Sequence, residues 1–230
     1  MTDRTTSQPR PLGQNRWAAV IPVSLGLAIA SLIFFAWLSQ EMLKQGTDQF
    51  DSAIRSAVHQ HTSASLTSVM SVFTQLGNWQ VVMTGTICAL LICWYRHERG
   101  LLLVVLVTMG GAGILDGTLK LLFHRIRPDP FIGDKPSTYS FPSGHALVSL
   151  CFYGVIAGIL SLRATRRWER WLIWGCASLL VGWIGLSRIY LGVHWPSDVV
   201  AGYAAALIWM GAVRLLAEFA RRRGSEVPVK

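Results

Sequence analysis

Two short stretches carry side chains whose types and spacings suit phosphoryl chemistry. Both contain histidine and serine, and the longer one also contains arginine and aspartate. In SRIYLGVHWPSD (187–198), His194 precedes Asp198 by four residues. A carboxylate one helical turn away can hold an imidazole in one tautomer and stabilise its charged form, which predicts His194 as a nucleophile. In FPSGH (141–145), His145 is expected to act as a general acid for the leaving oxygen. This chemistry requires no metal and no cofactor.

These stretches and a third, KLLFHRIRP (120–128), also carry groups that bind phosphate. A guanidinium matches phosphate oxygens bidentately and a lysine supplies a point charge. A Ser-Gly pair where a loop meets a helix adds a hydroxyl, a close backbone approach and N–H groups at the positive helix end. The candidate phosphate-binding residues are Lys120, Arg127, Ser143, Gly144 and Arg188.

Three further polar residues near these stretches have simpler interpretations. Asp116 lies four residues before Lys120, and an ion pair that offsets burial is favoured over a role in tuning that lysine. His124 and Arg125 are interpreted as interfacial residues at the rim of the pocket.

The elements that must position these residues are long apolar stretches. The chain has 230 residues, of which 52% are hydrophobic and 14% charged, whereas soluble domains are about 25% charged. The stretches lack the polar face of helices in a soluble all-helical protein. They therefore predict an all-α bundle of six transmembrane helices. The predicted spans are about 17–38, 79–95, 101–123, 144–162, 171–187 and 197–217.

The segment between the first two spans, about 39–78, has amphipathic patterning. Phe50, Ile54 and Val58 recur every four residues, and a similar apolar face follows from Leu66 to Leu76. The pattern predicts helical structure that lies at the membrane interface or packs against the bundle.

The net charge of +9 could suggest a nucleic-acid partner, but the basic residues lie in short patches between spans. With six spans, fourteen of the 21 Lys and Arg residues fall on one side of the membrane and seven on the other. The positive-inside bias then places both termini in the cytoplasm and the three polar stretches on the outer face. The basic patches are interpreted as topology signals that contact anionic lipid headgroups, and no nucleic acid is expected to bind.

The three stretches together resemble the type 2 phosphatidic acid phosphatase family, which shares its pocket with the vanadium haloperoxidases. The matching motifs are K-x6-R-P from Lys120, P-S-G-H ending at His145, and S-R-x5-H-x3-D from Ser187 to Asp198. The resemblance implies that His194 forms a phosphohistidine, that Asp198 orients it and that His145 protonates the leaving group. It also implies that the five phosphate-binding candidates hold the phosphoryl oxygens.

The expected protein is a metal-independent lipid phosphatase of the cell membrane whose pocket opens to the periplasm or exterior. Candidate substrates are undecaprenyl diphosphate, phosphatidylglycerophosphate and phosphatidic acid. The expected organisation is a cytoplasmic tail (1–16), a membrane phosphatase domain (17–217) and a basic cytoplasmic tail (218–230). The alternatives are a phosphotransferase, a haloperoxidase, and a non-catalytic transporter or lipid-phosphate binder. The sequence leaves open the lipid, the preference for monophosphate or diphosphate, and the oligomeric state.

Overall fold

A computed structural model describes the backbone of residues 14–134 and 136–225 and the side chains of 22–134 and 136–221. The tail expected at 1–16 lies outside these residues except for 14–16, and residues 218–225 of the tail expected at 218–230 are the end of the last helix. Within them the chain forms eight α-helices joined by loops, without strands. The helices are α1 (Gln14–Leu43), α2 (Asp48–His59), α3 (Ala64–Leu76), α4 (Trp79–Tyr95), α5 (Arg99–Phe123), α6 (Gly144–Arg163), α7 (Arg167–Tyr190) and α8 (Pro196–Ser225).

The all-α membrane architecture is confirmed. Five helices, α1, α5, α6, α7 and α8, are long and apolar enough to cross a bilayer. Helix α4 coincides with the predicted second span, 79–95. Its 17 residues make it about 25 Å long, at the short end of the range for a membrane helix. Together with α3, from which it is bent by 42°, it forms a sixth candidate segment by length and hydropathy.

Helix α6 lies at the centre of the bundle and packs against α4, α5, α7 and α8. Its Leu147 and Cys151 are fully buried against Ala112 of α5 and two alanines of α8. Small residues let the helix axes approach closely, as is usual between membrane helices. This packing places the first turn of α6, which carries the P-S-G-H motif, between α5 and α8.

Helices α2 and α3 pack against this bundle. Ile54 and Val58 of α2 contact a buried cluster formed by residues of α6, α7 and α8. Phe73 of α3 stacks on Trp183 of α7, with ring centroids 5.3 Å apart. Phe50, in contrast, is 52% exposed. The predicted helices and their packing against the bundle are therefore present, and their location at a membrane interface stays a prediction.

Candidate active site

The three motif-bearing stretches meet at one end of the bundle. The backbone N–H of Ser143, just before α6, donates to the carbonyl oxygen of Asp198 in α8 at 2.9 Å. The N–H of Phe131, in the loop after α5, donates to the carbonyl oxygen of Leu191 at 3.0 Å. These two bonds tie the α5–α6 loop, the start of α6 and the α7–α8 turn together.

His194 lies in the α7–α8 turn with 1% of its surface exposed. Its Nδ1 is 3.3 Å from Oδ2 of Asp198, and Nη1 of Arg127 is 2.9 Å from its Nε2. A guanidinium can only donate, so Nε2 accepts this bond and the proton of the neutral ring is assigned to Nδ1. The lone pair of Nε2 is therefore free of a proton, as a nucleophile requires.

The electrostatic surroundings of His194 favour the same neutral state. Burial lowers the pKa of His194 well below its usual value, and the positive charges of Arg127, Arg188 and Lys120 lower it further. These three cations give the space around Nε2 an excess of positive charge. An anionic group is the ligand that would offset it.

Arg127 is held firmly beside the imidazole. Its Nε donates to the carbonyl oxygen of Thr138 at 2.7 Å and its Nη2 to the Thr138 hydroxyl at 2.9 Å. Its Nη1 also donates to the carbonyl oxygen of Val193 at 2.9 Å. Burial lowers the pKa of Arg127, but a guanidinium stays charged in proteins. Thr138 was not among the sequence candidates, because a loop threonine carries no motif signal.

Ser143 and Arg188 carry donors without a partner among the described residues. The Ser143 side chain is fully buried and its hydroxyl makes no hydrogen bond, and the same is true of Nε of Arg188. Nη1 of Arg188 donates to the hydroxyl of Thr74 in α3 at 2.5 Å. Buried donors without acceptors are uncommon and costly. They mark a place where an incoming acceptor, such as a phosphoryl oxygen, gains hydrogen bonds.

Lys120 reaches the site from the last turn of α5. Its Nζ lies 2.6 and 2.5 Å from the two carboxylate oxygens of Asp116, so the expected ion pair is present. A Cβ on Gly144 would lie 2.8 Å from Nζ of Lys120 and 2.8 Å from Oδ1 of Asp116. Only a glycine leaves room for this pair against the first turn of α6.

His145 completes the group. It interacts electrostatically with His194, Lys120, Arg127 and Arg188. A Cβ on Gly77 would lie 3.1 Å from Cδ2 of His145, so the C-terminal end of α3 closes over this side of the imidazole. All eight predicted site residues are thus brought together, and the role of each stays a prediction.

The interpretation of Arg125 as a rim residue is wrong. Its side chain is 11% exposed and forms ion pairs with two fully buried carboxylates, Asp198 at 2.7 Å and Asp51 of α2 at 2.8 Å. These charge-assisted bonds hold the guanidinium behind the His194–Asp198 pair. Sequence reasoning missed Asp51 altogether. The available signal was its place on the same helical face as Ile54 and Val58, where an acidic residue is unexpected.

The described residues contain no group of three or more His, Cys, Asp and Glu side chains that could hold a metal ion. The charged groups around His194 are instead the cationic side chains and the paired carboxylates described above.

Comparisons with known proteins agree with the fold. The model of the PAP2 superfamily matches residues 101–222, more than half of the chain and all three motifs. Phosphatidylglycerophosphatase B of Bacillus subtilis is 31% identical over 193 residues, which cover 81% of this chain and 90% of the relative. The chain therefore belongs to the PAP2 superfamily.

Other relatives extend this comparison. Undecaprenyl-diphosphatase of Sulfolobus acidocaldarius is 30% identical over 182 residues, covering 75% of this chain and 82% of the relative. The crystal structure of a transmembrane PAP2-type phosphatidylglycerolphosphate phosphatase from Bacillus subtilis superposes with a TM-score of 0.76 at 29% identity. It covers 85% of this chain and 98% of that one. These relatives are membrane lipid phosphatases, and they support lipid phosphatase activity for this multi-pass membrane protein.

Proposed function

We propose that this protein hydrolyses the terminal phosphoryl group of a membrane lipid through a phosphohistidine formed on His194. One arrangement carries the proposal. Nε2 of His194 is an unprotonated acceptor, and Nδ1 faces Asp198. The positive charges of Arg127, Arg188 and Lys120 act on the ring, and two buried donor groups of the site have no partner within the described structure. Nucleophile, charge stabilisation and hydrogen-bond donors thus occur in one place.

In the first step, Nε2 of His194 attacks phosphorus and the bond from phosphorus to the lipid oxygen breaks. Nη1 of Arg127 must leave Nε2 and can then donate to a phosphoryl oxygen. Lys120, Arg188 and the Ser143 hydroxyl stabilise the charge that grows on the other oxygens. The bound anionic substrate offsets the cations that act on His145, so in the complex a protonated His145 can give its proton to the leaving oxygen. The imidazole becomes cationic because both its nitrogens now carry a substituent, and Asp198 stabilises that charge.

In the second step, a water molecule attacks the phosphohistidine. His145, now neutral, takes a proton from the water as the new phosphorus–oxygen bond forms. The bond from phosphorus to Nε2 breaks, and inorganic phosphate leaves. Both histidines return to their starting states, so no other reactant is consumed.

The substrate class follows from chemistry that the candidate lipids share. Phosphatidylglycerophosphate, undecaprenyl diphosphate and phosphatidic acid each end in a phosphoryl group that one nucleophile can reach. The names of the first two relatives refer to the first two of these lipids. We place the site at headgroup level on the outer face, with both termini in the cytoplasm, because the basic residues are concentrated on the opposite side. The lipid tail then stays in the bilayer while the phosphate enters the site.

Replacing His194 tests the mechanism directly. In purified His194→Ala, phosphate release should fall by about 10,000-fold or more, because no other nitrogen holds this position. The matched control is His61→Ala, an exposed histidine of the α2–α3 turn, which should retain full activity. Substrate labelled with ³²P should leave an acid-labile, alkali-stable label on the wild type and none on His194→Ala. The absence of label in rapidly quenched single-turnover samples of an active wild type would exclude the phosphohistidine.

A panel of lipids identifies the substrate and the acceptor. The three candidate lipids and a soluble phosphomonoester are assayed in detergent with EDTA, with and without lipid or sugar alcohols. We expect a lipid phosphate to be the fastest substrate and phosphate release to be unaffected by EDTA, because the cationic side chains supply the charge. Activity abolished by EDTA would contradict this, and transfer to an alcohol at the expense of free phosphate would favour a phosphotransferase.

A further inference from the structure

Asp51 is a fully buried carboxylate on α2, outside the region matched by the family model. Its Oδ1 accepts the backbone N–H of Ser197 at 2.8 Å. Its Oδ2 accepts the Ser197 hydroxyl at 2.6 Å and Nη2 of Arg125 at 2.8 Å. A charge is buried in this way only where it is paired. On the same face of α2, Ile54 and Val58 pack on the bundle.

Arg125 connects Asp51 to the proposed catalytic pair. Its Nη1 donates to Oδ1 of Asp198 and to the Ser197 hydroxyl, both at 2.7 Å. The other oxygen of Asp198 faces Nδ1 of His194. One guanidinium therefore lies between two buried carboxylates, and only one of these touches the imidazole.

The net charge of Asp51, Arg125 and Asp198 affects how well they stabilise a cationic imidazole of His194. Arg125 and Asp198 by themselves sum to zero, and a neutral pair stabilises a cationic imidazole poorly. With Asp51 ionised as well, the three groups sum to a charge of −1. Burial makes this difference large, because water screens these side chains little. Asp51 of α2, a helix outside the motifs, thus supplies a negative charge that offsets the positive charge of Arg125.

We propose that Asp51 is a positioning residue that shares Arg125 with Asp198 and so preserves the negative charge that His194 needs when it binds phosphorus. This inference rests on the proposed role of His194 as the nucleophile. It adds α2 and Arg125, neither of which contacts the phosphoryl group, to the machinery of the first chemical step.

The test uses three variants to separate the effect of a lost charge from the effect of lost hydrogen bonds. Asp51→Asn removes the negative charge and keeps the shape, and its rate of phosphohistidine formation in a single turnover should fall by about 30–100-fold, with little change in KM. Ser197→Ala removes the hydrogen bonds of the Ser197 hydroxyl with Asp51 and Arg125 and keeps every charge, and should lose less than about 5-fold. A loss with Ser197→Ala as large as with Asp51→Asn would show that the hydrogen bonds matter and would overturn the proposal.

The decisive variant is Asp51→Asn combined with Arg125→Gln. It restores a charge of −1 beside the imidazole, so its rate should exceed that of Asp51→Asn and recover to within about 10-fold of the wild type. A merely structural role predicts the opposite, because the second substitution removes further hydrogen bonds. A double variant no faster than Asp51→Asn would contradict the proposal. If Asp51→Asn cannot be purified, a double variant that stays more than about 10-fold below the wild-type rate overturns the proposal.

Labelling of the wild type separates the two proposals. If the wild type forms no phosphohistidine, the proposed mechanism fails and this inference fails with it. If the wild type is labelled and Asp51→Asn is labelled equally fast, only the role of Asp51 is refuted.

Discussion

The two sides of His194 differ in how their hydrogen bonds are used. On the carboxylate side, formed by Asp51, Arg125, Ser197 and Asp198, all four carboxylate oxygens accept hydrogen bonds. On the phosphate side, formed by Lys120, Arg127, Ser143 and Arg188, the Ser143 hydroxyl and Nε of Arg188 have no partner within the described structure. The same imidazole faces both.

The two sides are expected to contribute differently to stability and to activity. Satisfied buried polar networks rigidify a core and are costly to disturb. Clustered like charges and unpaired donors cost stability in the folded protein and are repaid when an anion binds. Substitutions on the carboxylate side should therefore lower stability and activity together, and those on the phosphate side should lower activity alone.

The largest contrast is expected between Asp198→Asn and Arg188→Gln. Asp198→Asn should lower kcat about 1,000–10,000-fold through loss of the correct tautomer and charge, and it should also lower the apparent Tm in detergent. Arg188→Gln should lower kcat/KM about 100–1,000-fold, the scale for one donor to a transition state. It should leave Tm equal or higher, because it relieves repulsion with Arg127. A clear fall of Tm in Arg188→Gln would contradict the expectation that substitutions on the phosphate side lower activity alone.

A smaller effect is expected from Gly144→Ala. Its Cβ would come within 2.8 Å of Nζ of Lys120, so the side chains of Lys120 and Asp116 must shift. We expect a loss of about 10-fold in kcat/KM with little change in Tm, since the lysine is displaced rather than removed. The control is Gly158→Ala on the same helix, where a Cβ would have no neighbour within 4 Å. Equal activity of the two variants would refute the role of the close approach.

The smallest effect is a dependence of stability on pH. The folded state lowers the pKa of His194 well below 6.5, so below pH 6.5 the unfolded chain binds a proton that the folded chain does not. Stability from this group is present above pH 6.5 and is lost as the pH falls, by up to about 1.4 kcal/mol per pH unit. The apparent Tm should fall between pH 7 and 5, and less steeply in His194→Gln. Identical slopes would contradict the assigned neutral state.

The sequence predicted the parts of the site that lie in compact motifs. His194 and Asp198 are one turn apart, and the helix that follows them is apolar, so their partnership can be inferred locally. The membrane spans were predicted for the same reason, because hydropathy is a property of adjacent residues.

The sequence did not predict the groups that support those motifs. Asp51 lies 146 residues from Ser197 and Thr74 lies 114 residues from Arg188, and neither belongs to a pattern. Arg125 belongs to a motif stretch, but its spacing does not show whether it faces substrate or a buried carboxylate. Contacts between such distant residues depend on how the helices pack, and the packing cannot be inferred from short sequence patterns.

The amino-acid sequence by itself determined a membrane-embedded helical chain with basic, imidazole and carboxylate groups in three stretches. These follow from hydropathy and short spacing, which need no knowledge of distant contacts. Only the tertiary structure decided which cation faces which side of His194. Packing α2 against α8 buries Asp51 beside Arg125, a contact between residues far apart in the chain.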